Sequence, residues 1–389
     1  MSIVVSYRRT PYGRLLGALS SVKAVDLGSQ VLAACLADAN ILPDEVDYVV
    51  AGQVLQAGQG QNPARQLAVA AGVPLSVPAI TINAVCLSGV EAIAHAHRLI
   101  NSGEASIVAC VGQESMSLAP HLLMNSRAGA KYGSIEVLDS AEIDGLTDAL
   151  ESCSMGLSTE NGNTQRGLTR AEQDSWAALS HSRASQNVAF LDGEILPITV
   201  KVGKKELAVD KDEGIRSDTT TESLSSLRPA FSPEGTITAG NASPISDGAA
   251  CIIVMSKEEF ARRAIPGLAR ILSHALVAGP DTQLHSQPSQ AISAALAKIG
   301  RSIEECAALE INEAFASVVI QSMRDLDVDK SLVNRNGGAI ALGHPIGSSG
   351  IRIVGTLARQ LTTEGSGALG AAGICGGGGQ GSAIVLEAL

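Results

Sequence analysis

Two cysteines and one histidine, each set among glycines, are the residues of this chain best placed to do chemistry. In Asn83-Ala84-Val85-Cys86-Leu87-Ser88-Gly89 a strand turns into a helix and leaves Cys86 at the helix start. Unpaired backbone N–H groups and the positive end of the helix dipole favour thiolate over thiol there, which would make Cys86 a nucleophile; a buried structural thiol is the alternative. His344 lies in Asn336-Gly337-Gly338-Ala339-Ile340-Ala341-Leu342-Gly343-His344-Pro345-Ile346-Gly347, held by Pro345 at the entrance to a helix. An imidazole fixed on such a loop can act as a base or donate to a developing oxyanion. Cys375 stands directly before four glycines in Gly373-Ile374-Cys375-Gly376-Gly377-Gly378-Gly379-Gln380-Gly381. Apolar flanks make this a buried turn rather than a linker, and its N–H groups could form an oxyanion hole. It lacks the Lys and Ser/Thr of a nucleotide-binding loop. Asn312-Glu313-Ala314-Phe315 ends an apolar run with a polar pair, which is costly unless hydrogen-bonded or facing a cleft. His95 and His97 are two apart and share no helical face, so no metal site is expected of them.

Positioning these groups falls to alternating helices and strands. Residues 24–39 carry Ala24, Leu27, Val31, Leu32 and Leu36 at helical spacing, Tyr48-Val49-Val50 reads as a short buried strand, residues 78–85 as extended, 87–100 as helical and Ala105–Val111 as a strand. The alternation predicts a mostly parallel sheet covered by helices. The same phrase returns late in the chain. Glu45 and Glu305, each before an apolar strand, are 260 residues apart; Gly89 and Gly350, each following a Ser at a helix start, are 261 apart. Two matches at nearly one offset point to an internal duplication with a long insert between the copies. The insert holds Asn161-Gly162-Asn163, a charged run from Lys201 to Arg216 and a Ser/Thr-rich stretch from Ser217 to Ser226, the texture of functional surface loops.

Composition narrows the function. The 389 residues are 45% hydrophobic, only 2% aromatic, and carry a net charge of −11. Such acidity argues against a nucleic-acid or anionic membrane partner. Gly365–Leu386 is uncharged and long enough to cross a bilayer, but nine of its residues are Gly, so it reads as a Gly-rich loop with a buried strand. Arg8, Arg9 and Arg14 superficially suggest a leader, yet Ile3–Val5 looks like a first strand and Thr10-Pro11-Tyr12-Gly13 like its turn. Seven scattered cysteines without a CxxC pair disfavour a disulfide framework or zinc ribbon and suggest a reducing, cytoplasmic compartment.

Taken together, the Cys86 segment, Asn312-Glu313-Ala314-Phe315, Gly343-His344-Pro345 and Cys375 with its glycines resemble the thiolase family in order and spacing over the whole chain. Arg8-Arg9-Thr10-Pro11, Gly145-Leu146-Thr147-Asp148, Leu227-Arg228-Pro229-Ala230-Phe231 and Thr238-Ala239-Gly240-Asn241-Ala242-Ser243 add to the likeness. The resemblance implies an α/β fold of two similar βαβαβαββ halves forming a five-layered αβαβα sandwich, with an inserted loop domain. We expect residues 1–116 to form the first half, 117–250 the loop domain with the end of that half, and 251–389 the second half. It also implies a homodimer or homotetramer, no membrane partner, and no cofactor, coenzyme A being a substrate. Acyl transfer between CoA thioesters follows: two acetyl-CoA joined, or a 3-ketoacyl-CoA cleaved. A degradative enzyme for longer or branched chains and a non-catalytic acyl-CoA-binding protein are the alternatives.

By position in the family pattern, Cys86 takes the acyl group, His344 activates it and, with a water held by Asn312, stabilises the enolate, and Cys375 is the acid/base. The N–H groups of Cys86 and Gly377 form a second oxyanion hole. Arg216, Ser223, Ala239 and Ser243 fall at coenzyme A contacts, Met155 in the acyl pocket, and Phe231 and Phe315 with the substrate-binding set. Three departures stand out: Cys153-Ser154-Met155-Gly156 where many relatives carry a His, Leu284-His285-Ser286-Gln287-Pro288 at the second acyl-pocket segment, and Leu87 where Gly is usual. They predict an altered chain-length preference or coenzyme affinity.

Overall fold

A chain with so few aromatic residues must build its core from Val, Ile, Leu and Ala, and each long strand here feeds two cores by alternation. The computed structural model describes residues 1–389, the side chain of Val202 apart. The first half comprises strands β1 (Ser2–Arg9), β2 (Tyr48–Gly52), β3 (Ala79–Ile82), β4 (Ile107–Ser115) and helices α1 (Ala24–Asp38), α2 (Pro63–Ala70) and α3 (Ser88–Asn101). An insert leaves after β4; it carries α4 (Met155–Gln165) and α5 (Arg170–Gln186) and returns as β5 (Ser246–Ser256), which pairs with β4 and β1. The second half repeats the plan as β6 (Ala269–Ala278), α6 (Gln287–Ala297), β7 (Cys306–Ile311), α7 (Ala316–Leu326), α8 (Ser349–Glu364), β8 (Leu369–Gly376) and β9 (Gln380–Ala388).

Hydrogen bonding runs β7-β8-β9-β6-β1-β5-β4-β2-β3, so each half has the same strand order and the halves join edge to edge through antiparallel β1 and β6. The place of β3 is filled in the second half by Val333, which bridges Leu309 in parallel. Along β4, Val108 and Cys110 face one core while Ile107, Ala109 and Val111 face another. The first core holds α3 and α8 with inner residues of both halves, such as Ile252 and Ile384. The second lies under α1 and α2, and a third under α6 and α7. Helices, sheet, helices, sheet, helices: these are the five layers. At the centre α3 and α8 cross on Gly89 and Gly350, where a Cβ on either would sit 2.4–2.6 Å from the other helix's backbone. The repeated Ser-Gly pair therefore exists to let two helices touch.

Two expectations need correcting. The sheet is not mostly parallel: β2/β3, β2/β4 and β7/β8 are parallel, but β1/β5, β1/β6, β4/β5, β6/β9 and β8/β9 are antiparallel. Each half closes with two consecutive strands, and the turn Gly377-Gly378-Gly379, with Gly378 and Gly379 at positive φ, needs no crossover helix. The division at residue 250 also falls within a strand, since β5 is buried from Ser246 to Ser256. The stretch Gly365–Leu386 resolves into two buried strands, β8 and most of β9, and no helix is long and apolar enough to cross a membrane among the described residues.

Candidate active site

Val85 sits at φ +52°, a left-handed conformation costly for a β-branched residue. Its neighbours enforce it. The Val85 N–H donates to Asn83 Oδ1 (3.0 Å), and Ser88 Oγ accepts from Ala84 N (2.9 Å) while donating to Val85 O (2.6 Å). The kink ends the extended segment after β3 and delivers Cys86 two residues before α3, facing a cavity of about 280 Å³. Leu87 beside it is fully buried and packs on Gly376, whose added Cβ would meet Leu87 Cγ at 2.7 Å. The side chain that replaces the family's glycine thus ties the Cys86 turn to the strand of Cys375.

His344 reaches the same cavity from the turn before α8. Its N–H donates to Ser246 Oγ at 3.1 Å, and its Nδ1 lies 2.6 Å from Ser349 Oγ. Ser349 Oγ donates its hydrogen to Pro345 O (3.1 Å), so toward the imidazole it accepts. The network therefore assigns the proton to Nδ1 and leaves Nε2 with a lone pair. Nε2 is buried without a partner among the described residues. Burial, helped by Arg352, lowers the imidazole to about 3, so the ring is neutral and free to accept a proton.

Cys375 completes the trio from the end of β8, and Gly377 follows it along the cavity wall. Burial raises its thiol above the ordinary range, and the neighbouring Cys86 adds to the effect. Cys86 itself, partly exposed as a residue, has its thiol pushed up to about 12 by desolvation, against the opposing pull of its own N–H. The helix start points to a thiolate here, but burial outweighs it, both thiols are held toward the neutral form, and Cys86 needs a base.

The rest of the cavity wall is mostly apolar, Glu142 being its one carboxylate among the described residues. Met155, Phe231, Leu284, Ala314, Phe315 and Ile346 line it, with Ser243 and Ser154. Phe231 and Phe315 meet edge to face, their centroids 6.1 Å apart. Gly156 makes room for this pair, since a Cβ there would fall 2.3 Å from the Phe231 ring. Ser154, in place of the family's His, caps α4 by accepting from Leu157 N at 3.2 Å.

Asn312 and Glu313 divide their roles. The Glu313 carboxylate accepts from Trp176 Nε1, Ser180 Oγ, Asn334 Nδ2 and Ile340 N at 2.7–3.0 Å. It is a structural hub. Asn312 is equally buried, its N–H donating to Gly373 O (3.0 Å), yet neither atom of its side-chain amide has a partner among the described residues. It is not among the residues that line the cavity. Arg216, Ser223 and Ala239 lie exposed on the insert, outside the cavity. Ser223 belongs to a short helix, Thr221–Ser225, against which the Ala239-Gly240 turn packs through Leu224. The charged run is not all solvated: Asp212 is buried and grips Arg9 at 2.6 and 2.9 Å, while Arg9 Nε donates to Glu194 at 2.9 Å. Ser246 and the Val85 kink escaped the sequence reading; Ser349 reads there as the helix start before Gly350, not as the partner of the His344 ring.

His285, one of the departures, is fully buried with Nε2 2.8 Å from Asn163 Oδ1, and burial lowers it to about 3. The fold thus refuses a proton that the unfolded chain takes near 6.5. Its stabilising contribution is complete above that pH and is lost as pH falls from about 6.5 toward 3. Thermal unfolding across this range should show Tm falling with acid, less steeply in His285→Gln than in wild type.

Cys86, His344 and Cys375 line one cavity on a duplicated α/β sandwich, an arrangement that could support nucleophilic cysteine chemistry. Two family models match the chain: the thiolase N-terminal domain over residues 2–258 and the thiolase C-terminal domain over 265–388. The chain belongs to the thiolase family. It is 49% identical over 393 residues to a probable acetyl-CoA acetyltransferase of Mycobacterium leprae, covering 100% of this chain and 99% of the relative. It is 44% identical to an acetyl-CoA acetyltransferase of Shinella zoogloeoides, at 100% and 99% coverage. The crystal structure of the Bacillus anthracis acetyl-CoA acetyltransferase superposes with a TM-score of 0.96 at 37% identity, covering 100% of this chain and 98% of that one. Human mitochondrial 3-ketoacyl-CoA thiolase gives 0.95, also at 37% identity and with the same coverage.

Proposed function

We propose that this chain is an acetyl-CoA C-acetyltransferase that moves acyl groups between coenzyme A thioesters through an acyl-Cys86 intermediate. The observation that carries the reading is the convergence of two neutral thiols and an imidazole with a free Nε2 on one apolar cavity. In the cleavage direction, Cys86 gives its proton to His344 Nε2 and its sulfur attacks the 3-keto carbon. The C2–C3 bond breaks, its electron pair forms the enolate of acetyl-CoA, and Cys375 protonates C2. Free coenzyme A then passes its thiol proton to the Cys375 thiolate and attacks the acyl-Cys86 carbonyl; Cys86 leaves and recovers its proton from His344. Protonated on Nε2, His344 becomes a donor to the enolate oxygen, with a water held by the unpaired Asn312 amide; the N–H groups of Cys86 and Gly377 receive the other oxyanion.

Coenzyme A enters as substrate, and no further cofactor is needed by these steps. Ser243 on the cavity wall and the exposed Arg216, Ser223 and Ala239 are the surface along which it would lie. Met155, Leu284, Phe231 and Phe315 close the acyl end, which favours short chains, in keeping with the likeness to acetyl-CoA acetyltransferases. Seven free cysteines suit a reducing, cytoplasmic setting. A homodimer or homotetramer is part of this reading, supported by exposed Leu123, Met124, Tyr132, Ile135 and Val137 on the insert. Thiolytic turnover of acetoacetyl-CoA should exceed that of 3-ketohexanoyl-CoA at equal concentration; the reverse order would assign the chain to longer substrates.

A further inference from the structure

β4 does not stop with its apolar residues; it runs on through Gln113-Glu114-Ser115. Glu114 is fully buried and takes no part in the steps above. Its Oε2 accepts the N–H groups of Val54 and Gly347 at 3.0 Å each, and its Oε1 accepts Leu55 N at 3.0 Å. Val54 and Leu55 follow β2 in the first half, whereas Gly347 belongs to the turn that carries His344 in the second. Room there is tight: a Cβ on Gly347 would lie 2.6 Å from Gln113 O and 2.9 Å from Glu114 Oε2. Ile346 packs with Val54 and Leu55 in a small apolar cluster, against which Cys86 also rests.

We infer that Glu114 is a positioning residue of the reaction: it clamps the Pro345-Ile346-Gly347 turn of one half to the other half and so fixes where His344 Nε2 stands relative to Cys86. Three donors on two oxygens suit an ionised carboxylate, whereas a protonated one turns an acceptor into a donor. Burial, with Asp247 on the neighbouring strand, raises this carboxyl to about 7. Cys86 on the nucleophile turn feels this carboxylate as well, whereas the clamped turn presents only the Gly347 N–H. The clamp therefore tightens as pH rises through neutrality.

The inference rests on His344 being the base, and the test separates the two. Glu114→Gln, which must point an amide N–H at one of the three donors, should lower kcat about 10- to 100-fold with KM for acetoacetyl-CoA little changed, because Glu114 is not on the cavity wall. It should also erase the rise of kcat with pH around 7. Glu114→Asp should keep that rise at a reduced rate, and Gly347→Ala, whose Cβ presses on Gln113 O and Glu114 Oε2 but leaves the titrating carboxyl in the chain, should lower kcat with the rise retained. A Glu114→Gln enzyme with wild-type kcat and pH profile, or one losing only Tm, overturns the inference. If Glu114→Gln does not fold, Glu114→Asp and Gly347→Ala decide alone: unchanged kcat in both overturns it. His344→Asn run alongside reports on the underlying reading, which fails if that variant keeps full activity.

Discussion

Cys86→Ala is expected to lose both the covalent intermediate and turnover, by about 10⁴-fold or more, because no other group on the cavity can carry the acyl chain in its place. Cys375 is the only other thiol there among the described residues, and it is assigned to proton transfer. Mass spectrometry after incubation with acetoacetyl-CoA should show an acetyl adduct on wild type and none on the variant. The fold should survive, since Cys86 is partly exposed and Val85, Ser88 and Leu87 hold the turn without its sulfur. The neutral state of the thiol sharpens the expectation. With Cys86 held up to about 12 and His344 down to about 3 by burial, a standing thiolate–imidazolium pair is disfavoured. Proton transfer must accompany attack, so iodoacetamide should modify the resting Cys86 slowly at pH 7. An adduct that survives the substitution would remove Cys86 from the mechanism.

How far the site could be read beforehand follows from sequence separation. Cys86, His344 and Cys375 each lie in a short motif whose glycines announce close packing, and the repeat marked by Gly89 and Gly350 placed two of the motifs at equivalent helix starts. Their meeting across the central layer follows from the duplication. What holds them in place was not legible. Ser246 supports the His344 backbone from 98 residues away and Glu114 clamps its turn from 233. Neither has a local signature, because a buried Ser or Glu at a strand end is recognisable only once its partners are known. The expected thiolate at Cys86 failed for a related reason: a helix start is visible in the sequence, but the desolvation that outweighs it depends on what closes over the sulfur. The mostly parallel sheet failed because helix–strand alternation says nothing about the last two strands of each half. Arg216, Ser223 and Ala239 were placed by family pattern alone, and the structure sets them on the open surface of the insert.

Cys375→Ser separates the two halves of the reaction. Serine fits the same space at the end of β8, where the side chain is 1% exposed, so packing should change little. Proton chemistry changes greatly, since a hydroxyl gives up its proton far less readily than a thiol. Burial and the neighbouring Cys86 hold the Cys375 thiol above its ordinary range, so it stands protonated with a proton to give to a carbanion-like enolate. Replacing it should lower condensation and thiolysis by about 10²- to 10⁴-fold. Acylation of Cys86 by acetyl-CoA should persist in part, because that step needs His344 and the oxyanion donors but no proton at carbon. Two measurements isolate the difference: exchange of the acetyl-CoA methyl protons with deuterated water should collapse, while a burst of acyl-enzyme remains. Unchanged turnover or undiminished exchange would take the proton-carrier role from Cys375 and leave it to His344, whose Nε2 faces no partner among the described residues, or to Glu142, which also lines the cavity.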